Sequence, residues 1–360
     1  MIFFLYLLYS IAFVYACSFL FGKRQKMVFL AVSGVLLTIF LGFRDIESGG
    51  IDLIRYSIHY QDLLRADSIS AAFDKREGEN FLFFLSMYIS AKLGWSFNFF
   101  LFLVAAFSVS TSILFFYRYS NYPLFCICIF LPTCYIHLFS QLKQTIAVAI
   151  ALYAYMLLRN NKMLATYIVL LVAVLFHPTA IVMIPFFILS RYRANLAILS
   201  ILFLGSFFVF IFRMEIGELL TTIFYSQFVD HWESREDITG MAVFFILLTI
   251  LYLSMMPKRK EVSKEKYLVI SSYLYALIIA MSFFFCASYS FAFTRLNNYF
   301  MMFVPLVLSE MTDFNTFKRF FHSKIFAYTI FGMIMYIMIN RFLELVVSQY
   351  LFMYKFYWMD

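Results

Sequence analysis

The sequence predicts an all-α, polytopic integral membrane protein, and three observations carry that prediction. Of its 360 residues, 64% are hydrophobic and only 13% charged, whereas soluble domains average roughly a quarter charged and under half apolar. Apolar runs recur from Met1 to beyond Val347, so no sizeable stretch reads as a soluble domain. In hydrocarbon, every backbone N–H and C=O needs a partner within the protein. Helices supply it locally, and these runs are too long for barrel strands.

About twelve transmembrane helices are expected, near 2–21, 27–43, 97–117, 122–139, 144–158, 163–177, 178–190, 195–212, 240–256, 267–287, 296–311 and 325–343. The first run lacks a small-residue cleavage pattern and reads as a retained helix. Pro178, beside His177, separates two spans, because a proline opening a helix gives up no hydrogen bond. Segment 81–93 is apolar but short and carries Lys92 near its end. A crossing there would move the downstream basic loops to the other face, so a re-entrant or interfacial helix is expected, with protein or water covering its ends. The whole of 1–360 reads as a single membrane-embedded domain. Residues 44–80 and 213–239 form extracytoplasmic loops in this reading, and 257–266 a basic cytoplasmic one.

Orientation follows from Lys and Arg in short loops. One set holds Lys23, Arg24, Lys26, Arg118, Arg159, Lys162, Arg191, Arg193, the run from Lys258 to Lys266, and Lys318, Arg319 and Lys324. These loops carry net +12 and the rest of the chain −4, together giving the whole-chain +8. The basic balance is therefore a topology signal. It faces these loops to the cytoplasm, puts both termini outside, and needs no nucleic-acid partner. The longest polar segments fall on the outer face, which suggests that the protein works there.

The five cysteines, Cys17, Cys126, Cys128, Cys134 and Cys286, sit inside apolar runs without metal-ligand spacing and read as small buried residues. Neither GxxxxGK[ST] nor GxGxxG nor HExxH occurs, so no nucleotide site, metal or other cofactor is indicated.

Ionisable residues gather at the predicted outer boundary. Asp52, Tyr56 and Tyr60 are spaced four apart, which places them on one helical stripe, just after Gly49 and Gly50. The bland alternative is a solvated interfacial helix with tyrosines at headgroup level. Glu77 and Glu79 precede segment 81–93, where a carboxylate is costly without a partner or a task. Lys143, flanked by Gln141 and Gln144, opens the span QTIAVAIALYAYMLL. It could snorkel to the interface or bind a phosphate. His177 ends another span and can take a proton near neutral pH, or simply bond a carbonyl. Arg295 sits between apolar spans in FAFTRLNNYF, where a cation usually faces the protein interior. Arg44, Arg55 and Arg213 share this face. The set suits an anionic lipid headgroup: cations hold a diphosphate and stabilise it as a leaving group, and a base activates a sugar hydroxyl. An enzyme outside the cytoplasm lacks nucleotide-sugars and must use a donor already activated on a lipid.

FRDIESGGIDLIRY with Asp52 and Tyr56, EGENF with Glu79, SQLKQTIAVAIAL, FHPTAIVMIP, TRLNNYF and the closing YKFYW follow one another in an order that resembles the EpsG-like family of bacterial polysaccharide polymerases, functionally the Wzy type. Two positions depart from the family pattern. Lys143 stands where the family has arginine, with Gln144 and Ala147 matching, and Asn80 stands where it has proline. Lysine keeps the charge but loses the two-pronged phosphate geometry. The resemblance implies a glycosyltransferase at the outer face of the bacterial plasma (inner) membrane. It would move a growing glycan from undecaprenyl diphosphate onto a lipid-linked repeat unit, yielding O-antigen, capsule or exopolysaccharide. Glu79 or His177 would be the general base, Asp52 would orient the acceptor sugar, and Lys143, Arg295 and Arg44 would hold the diphosphates, with Gln144 and Tyr56 beside them. Expected partners are the undecaprenyl-diphosphate-linked oligosaccharide, membrane lipid, and a chain-length regulator and flippase of the same pathway. A flippase of lipid-linked sugars, an O-antigen ligase or acyltransferase, and a structural subunit of an export complex are the competing readings. A flippase would carry charges midway along its spans and interrupted internal repeats.

Overall fold

The fold is given by a computed structural model, which describes residues 2–47, 51–66, 68–70, 80–139, 141–224, 239–257, 259–287, 292–311, 332–333, 336–337, 340 and 356–357. Helices dominate these residues and no strand occurs among them; an isolated antiparallel bridge joins Arg44 to Phe356. The chain divides into two compact units, residues 1–178 with 334–360, and residues 179–333.

In the first unit, α1 (Ile2–Ser18) and α2 (Gln25–Gly42) are joined by a 3₁₀ segment, Phe19–Arg24. They form a hairpin. On a straight helix Tyr15 and Phe29 would stand about 21 Å apart, yet their ring centres are 5.2 Å apart. The reversal falls at Gly22, whose φ of +50° is open to glycine at no steric cost. Next come α3 (Ile51–Arg65), α4 (Phe81–Lys92), α5 (Phe97–Tyr119), α6 (Pro123–Thr133), a 3₁₀ turn (Tyr135–Phe139), α7 (Leu142–Arg159) and α8 (Met163–Phe176). α2 packs on α5, α5 on α7, and α7 on α8.

Small residues let α2 and α5 approach closely, as in many membrane helix pairs. A Cβ added at Gly42 would lie 2.9 Å from the Cα of Phe102, and one at Gly34 would lie 3.2 Å from Ile113 Cγ1. α7, rich in alanine, is the most enclosed long helix, with 78% of its apolar window buried. α8 ends because Pro178 follows: the residue before a proline is pushed out of the helical region, and His177 is extended, with φ −156° and ψ 116°.

The second unit is organised around α13. Its elements are a 3₁₀ turn (Pro178–Val182), α9 (Met183–Leu189), α10 (Leu196–Ile211), α11 (Arg213–Phe224), α12 (Thr239–Met255), α13 (Lys264–Cys286) and the short α14 (Ala292–Leu296), α15 (Asn298–Met301) and α16 (Val304–Met311). Asn195 and Ser263 cap α10 and α13, each accepting a backbone N–H with its side-chain oxygen. Polar side chains bond across the packed helices: Ser206 Oγ lies 2.7 Å from Ser282 Oγ, and Ser271 Oγ accepts the Ala194 N–H at 3.0 Å. α10 and α11 meet at 89°.

Among the described residues, four apolar segments are long enough to cross a bilayer, five if the bent α10–α11 pair is one span. The first of them, Tyr6–Gly42, contains the Gly22 reversal. Other expected spans coincide with shorter apolar helices of 10–17 residues, including α6, α8 and α12. At 1.5 Å per residue these reach about 15–26 Å, short of the roughly 30 Å of hydrocarbon. The expected span 296–311 is broken into short helices, and most of 325–343 lies outside the described residues. α4, with 12 residues, occupies the segment expected to enter without crossing.

Candidate functional site

Hydrogen bonds join the end of α2 to the turn before α7, and the packing of α7 on α8 brings the end of α8 beside them. Arg44, just past α2, is only 1% exposed. Its guanidinium donates to the carbonyl of Leu41 in the last turn of α2, where a cation complements the helix dipole. It also donates to Phe139 O at 2.8 Å and lies 5.5 Å from the Phe139 ring centre. Phe139 closes the 3₁₀ turn before α7, and Tyr135 in the same turn donates to Leu37 O at 2.6 Å. Arg44 therefore fixes the approach to Lys143 and Gln144. α7 and α8 are joined by the tight turn at 160–162 and run antiparallel, so His177 returns to the end where Lys143 begins.

α3 lies along α4. The Tyr56 and Phe83 rings are 5.3 Å apart, and Tyr60 donates to Trp95 O at 3.0 Å. Burial pushes the Tyr60 phenol up to about 12, which keeps it protonated as a donor. Lys92, the cation in the otherwise apolar α4, donates to the carbonyl of Ala66 at the end of α3. Of the predicted stripe, Tyr56 and Tyr60 are buried, at 8% and 1% exposure. Asp52 is half-buried in the first turn of α3, where the helix dipole favours a carboxylate.

The two layers meet at Lys143. Its Nζ lies 5.5 Å from the Tyr56 ring centre and 5.7 Å from that of Phe83. Gln144 beside it is buried. Arg44, Tyr56, Lys143, Gln144 and His177 are thus all carried by elements that pack together in the first unit. Arg295 belongs to the second unit, half-buried in α14. Two residues on, Asn297 is fully buried, and neither of its amide atoms has a hydrogen-bond partner among the described residues. Thr179 Oγ1 and Tyr299 Oη share a hydrogen bond of 3.1 Å in that unit. Glu79, the other expected base, lies outside the described residues.

The tail returns to this site. Tyr357 N donates to Phe43 O at 3.1 Å, beside the Arg44–Phe356 bridge. Phe356 meets Phe40 at 6.1 Å between ring centres, and Tyr357 meets Phe43 at 6.0 Å.

The sequence profile of the EpsG family matches residues 27–356, nearly the whole chain and both ends of the Arg44–Phe356 bridge. The chain belongs to the EpsG family. This is a family of exopolysaccharide and O-antigen polymerase type, and membership points to a polysaccharide polymerase-type role in a membrane protein. No curated protein and no solved structure matches the chain.

In this EpsG-family chain, Phe83, the Phe139 carbonyl and Asn297 are not marked as site residues by the sequence alone. Phe83 is one of 50 phenylalanines and carries no mark of its own. A backbone carbonyl leaves no trace in sequence. Asn297 stood in the quoted TRLNNYF; a buried amide beside an arginine in a membrane segment was the available signal.

Proposed function

We propose that this protein is a Wzy-type polymerase of the bacterial plasma (inner) membrane. It would transfer a glycan from undecaprenyl diphosphate to a lipid-linked repeat unit at the extracytoplasmic face, for O-antigen, capsule or exopolysaccharide. About twelve crossings, with both termini outside, belong to the same proposal, as do a chain-length regulator and a flippase as pathway partners. The observation that carries it is the seating of the Lys143 ammonium on Tyr56 and Phe83, at the helix ends that also bring Arg44, Gln144 and His177.

In the proposed step, the acceptor hydroxyl oxygen attacks the anomeric carbon of the donor glycan as the C1–O bond to diphosphate breaks. His177 or Glu79 takes the hydroxyl proton, and polyprenyl diphosphate leaves with both electrons of the broken bond. Lys143 stabilises the charge that develops on the diphosphate. Arg44 is spent on carbonyls, so its part is to hold the α7 entry and lend a positive field. Asp52 orients the acceptor sugar over Tyr56.

The test is a chromosomal deletion complemented with variants and read as a surface-polysaccharide gel. Loss of the ladder to a single repeat unit in the deletion and in His177→Ala, with normal membrane insertion, is the expected result. Loss of every band would make the protein a flippase, and polymer stranded on its lipid carrier would make it a ligase.

A further inference from the structure

Where two helices pack through small residues, their larger neighbours stand as walls on either side of the seam. α2 and α5 do this along most of their length. The result is a furrow of about 730 Å³ lined by apolar side chains, with Ala31, Gly34, Ala106 and Ser110 among its smaller members. The volume falls within the roughly 300–1,000 Å³ typical of ligand sites. It runs from Met27 and Tyr117 to Phe43 and Phe102. Sixteen residue steps along α2 make it about 24 Å long, most of a hydrocarbon layer roughly 30 Å thick.

Its two ends differ. At one, Lys26 donates to the Ser120 carbonyl and lies 5.3 Å from the Tyr117 ring centre. At the other, Phe43 stacks on Phe102 with ring centres 5.0 Å apart and adjoins Arg44. Arg44 ties that end, through the Phe139 carbonyl, to the turn that leads into Lys143. A chain lying in the furrow would carry its headgroup to the elements that present Lys143.

Shape indicates which chain. Lipid tails are as apolar as the furrow, so hydrophobicity cannot select an occupant here; packing must. Lining positions on both helices recur with each turn, about 5.4 Å apart. An isoprenoid repeats its methyl branch at close to that interval, whereas a straight acyl chain has no branch to seat. We propose that the furrow between α2 and α5 binds the isoprenoid tail of the lipid-linked substrate. The assignment rests on the polymerase reading for its choice of substrate but is tested by binding as well as by turnover.

The full chain, purified in phospholipid nanodiscs, is photolabelled with a polyprenyl diphosphate carrying a diazirine in its tail, and in parallel with a diazirine phosphatidylglycerol. Expected is isoprenoid labelling of α2 and α5 peptides within 27–43 and 102–117, displaced by unlabelled polyprenyl diphosphate and reduced at least tenfold by Ala106→Phe or Ser110→Phe. Val32→Phe, outside the furrow, serves as the packing control and keeps the label. In turnover, the filled variants raise KM for long-tailed repeat unit by about tenfold or more, the scale of a few lost methylene contacts, and leave short-tailed substrate unchanged. Equal labelling by the phosphatidylglycerol probe that polyprenyl diphosphate cannot displace overturns the assignment, as does wild-type labelling of the filled variants. Displaceable isoprenoid labelling without any polymer formation would keep the furrow and remove the polymerase reading. Polymer formation indifferent to both filled variants would do the reverse.

Discussion

The ammonium of Lys143 rests on the faces of Tyr56 and Phe83, 5.5 and 5.7 Å from the ring centres. Each face contributes an attraction of about 0.5–2 kcal/mol to a cation, more where water is excluded. The aromatic pair comes from α3 and α4 and the cation from α7, so this contact adds to the packing of Tyr60 and Phe83 on Phe100 of α5 in holding these helices together. Tyr56→Phe keeps the ring and should retain polymer. Tyr56→Leu should cut polymerisation about three- to thirtyfold through lost cation–ring attraction, measured as repeat units added per minute on lipid-linked substrate.

Lys143 itself can be separated into charge and shape. Lys143→Gln removes the charge and, with a charge-assisted hydrogen bond contributing about 1.5–3 kcal/mol, should lower kcat/KM by roughly ten- to 150-fold. Lys143→Arg restores the charge and offers a fork to phosphate, so it should recover most of the activity. An arginine variant as inactive as the glutamine one would show that ammonium geometry on the rings, and not charge, is what matters.

Arg44 is expected to behave as a structural tie. Its guanidinium bridges the Leu41 and Phe139 carbonyls from a buried position. Arg44→Met leaves those acceptors without their donor and should destabilise the first unit by about 1–3 kcal/mol for each buried carbonyl left unbonded. The measurement is thermal unfolding in detergent. Arg44→Lys cannot span both carbonyls and should recover only part of the loss.

Gly42 and Gly205 make a paired test of packing. A methyl at Gly42 would meet the Phe102 backbone at 2.9 Å, and one at Gly205 would meet nothing within 4 Å. Gly42→Ala should cost about 1–3 kcal/mol through overpacking. Gly205→Ala should be neutral or stabilising by up to about 1 kcal/mol, because alanine is the better helix former. Equal melting temperatures for the two variants would contradict the close α2–α5 approach.

Asn297 has a buried amide with no hydrogen-bond partner among the described residues. Such a group costs about 1–3 kcal/mol if left unbonded. Asn297→Leu should therefore leave the second unit as stable or more so, while polymerisation falls. Loss of stability with unchanged polymerisation would give Asn297 a purely structural part.

Apolar run length and local backbone chemistry made part of this architecture legible in the sequence. The turn before Lys23, the break at Pro178 and the short helix at 81–93 each follow from residue types whose effect on the backbone is local. The stripe of Asp52, Tyr56 and Tyr60 was legible for the same reason, since four-residue spacing fixes a helical face whatever surrounds it. What that face would touch was not. Two of its partners, Phe83 and the Trp95 carbonyl, are set by the packing of α3 on α4, which local sequence does not encode. Arg44 was legible as a cation at a boundary, but its acceptors are main-chain oxygens of residues already common in the chain. The helix lengths were overestimated where apolar runs continue through 3₁₀ turns, as at Tyr135–Phe139 and Pro178–Val182, because hydropathy does not register how tightly the backbone is wound.

The pairing of Arg44 with Phe356, and of Tyr357 N with Phe43 O, sets an order of events during biosynthesis. Phe43 and Arg44 leave the ribosome more than three hundred residues before Phe356 and Tyr357, which clasp them. The intervening helices insert while Phe43 and Arg44 still lack these partners. A nascent chain halted after residue 177 but before residue 356 would already carry Lys143 and His177, yet the latch beside Arg44 would stay open. Maturation of this end of the protein is thus tied to synthesis of the segment around residue 356.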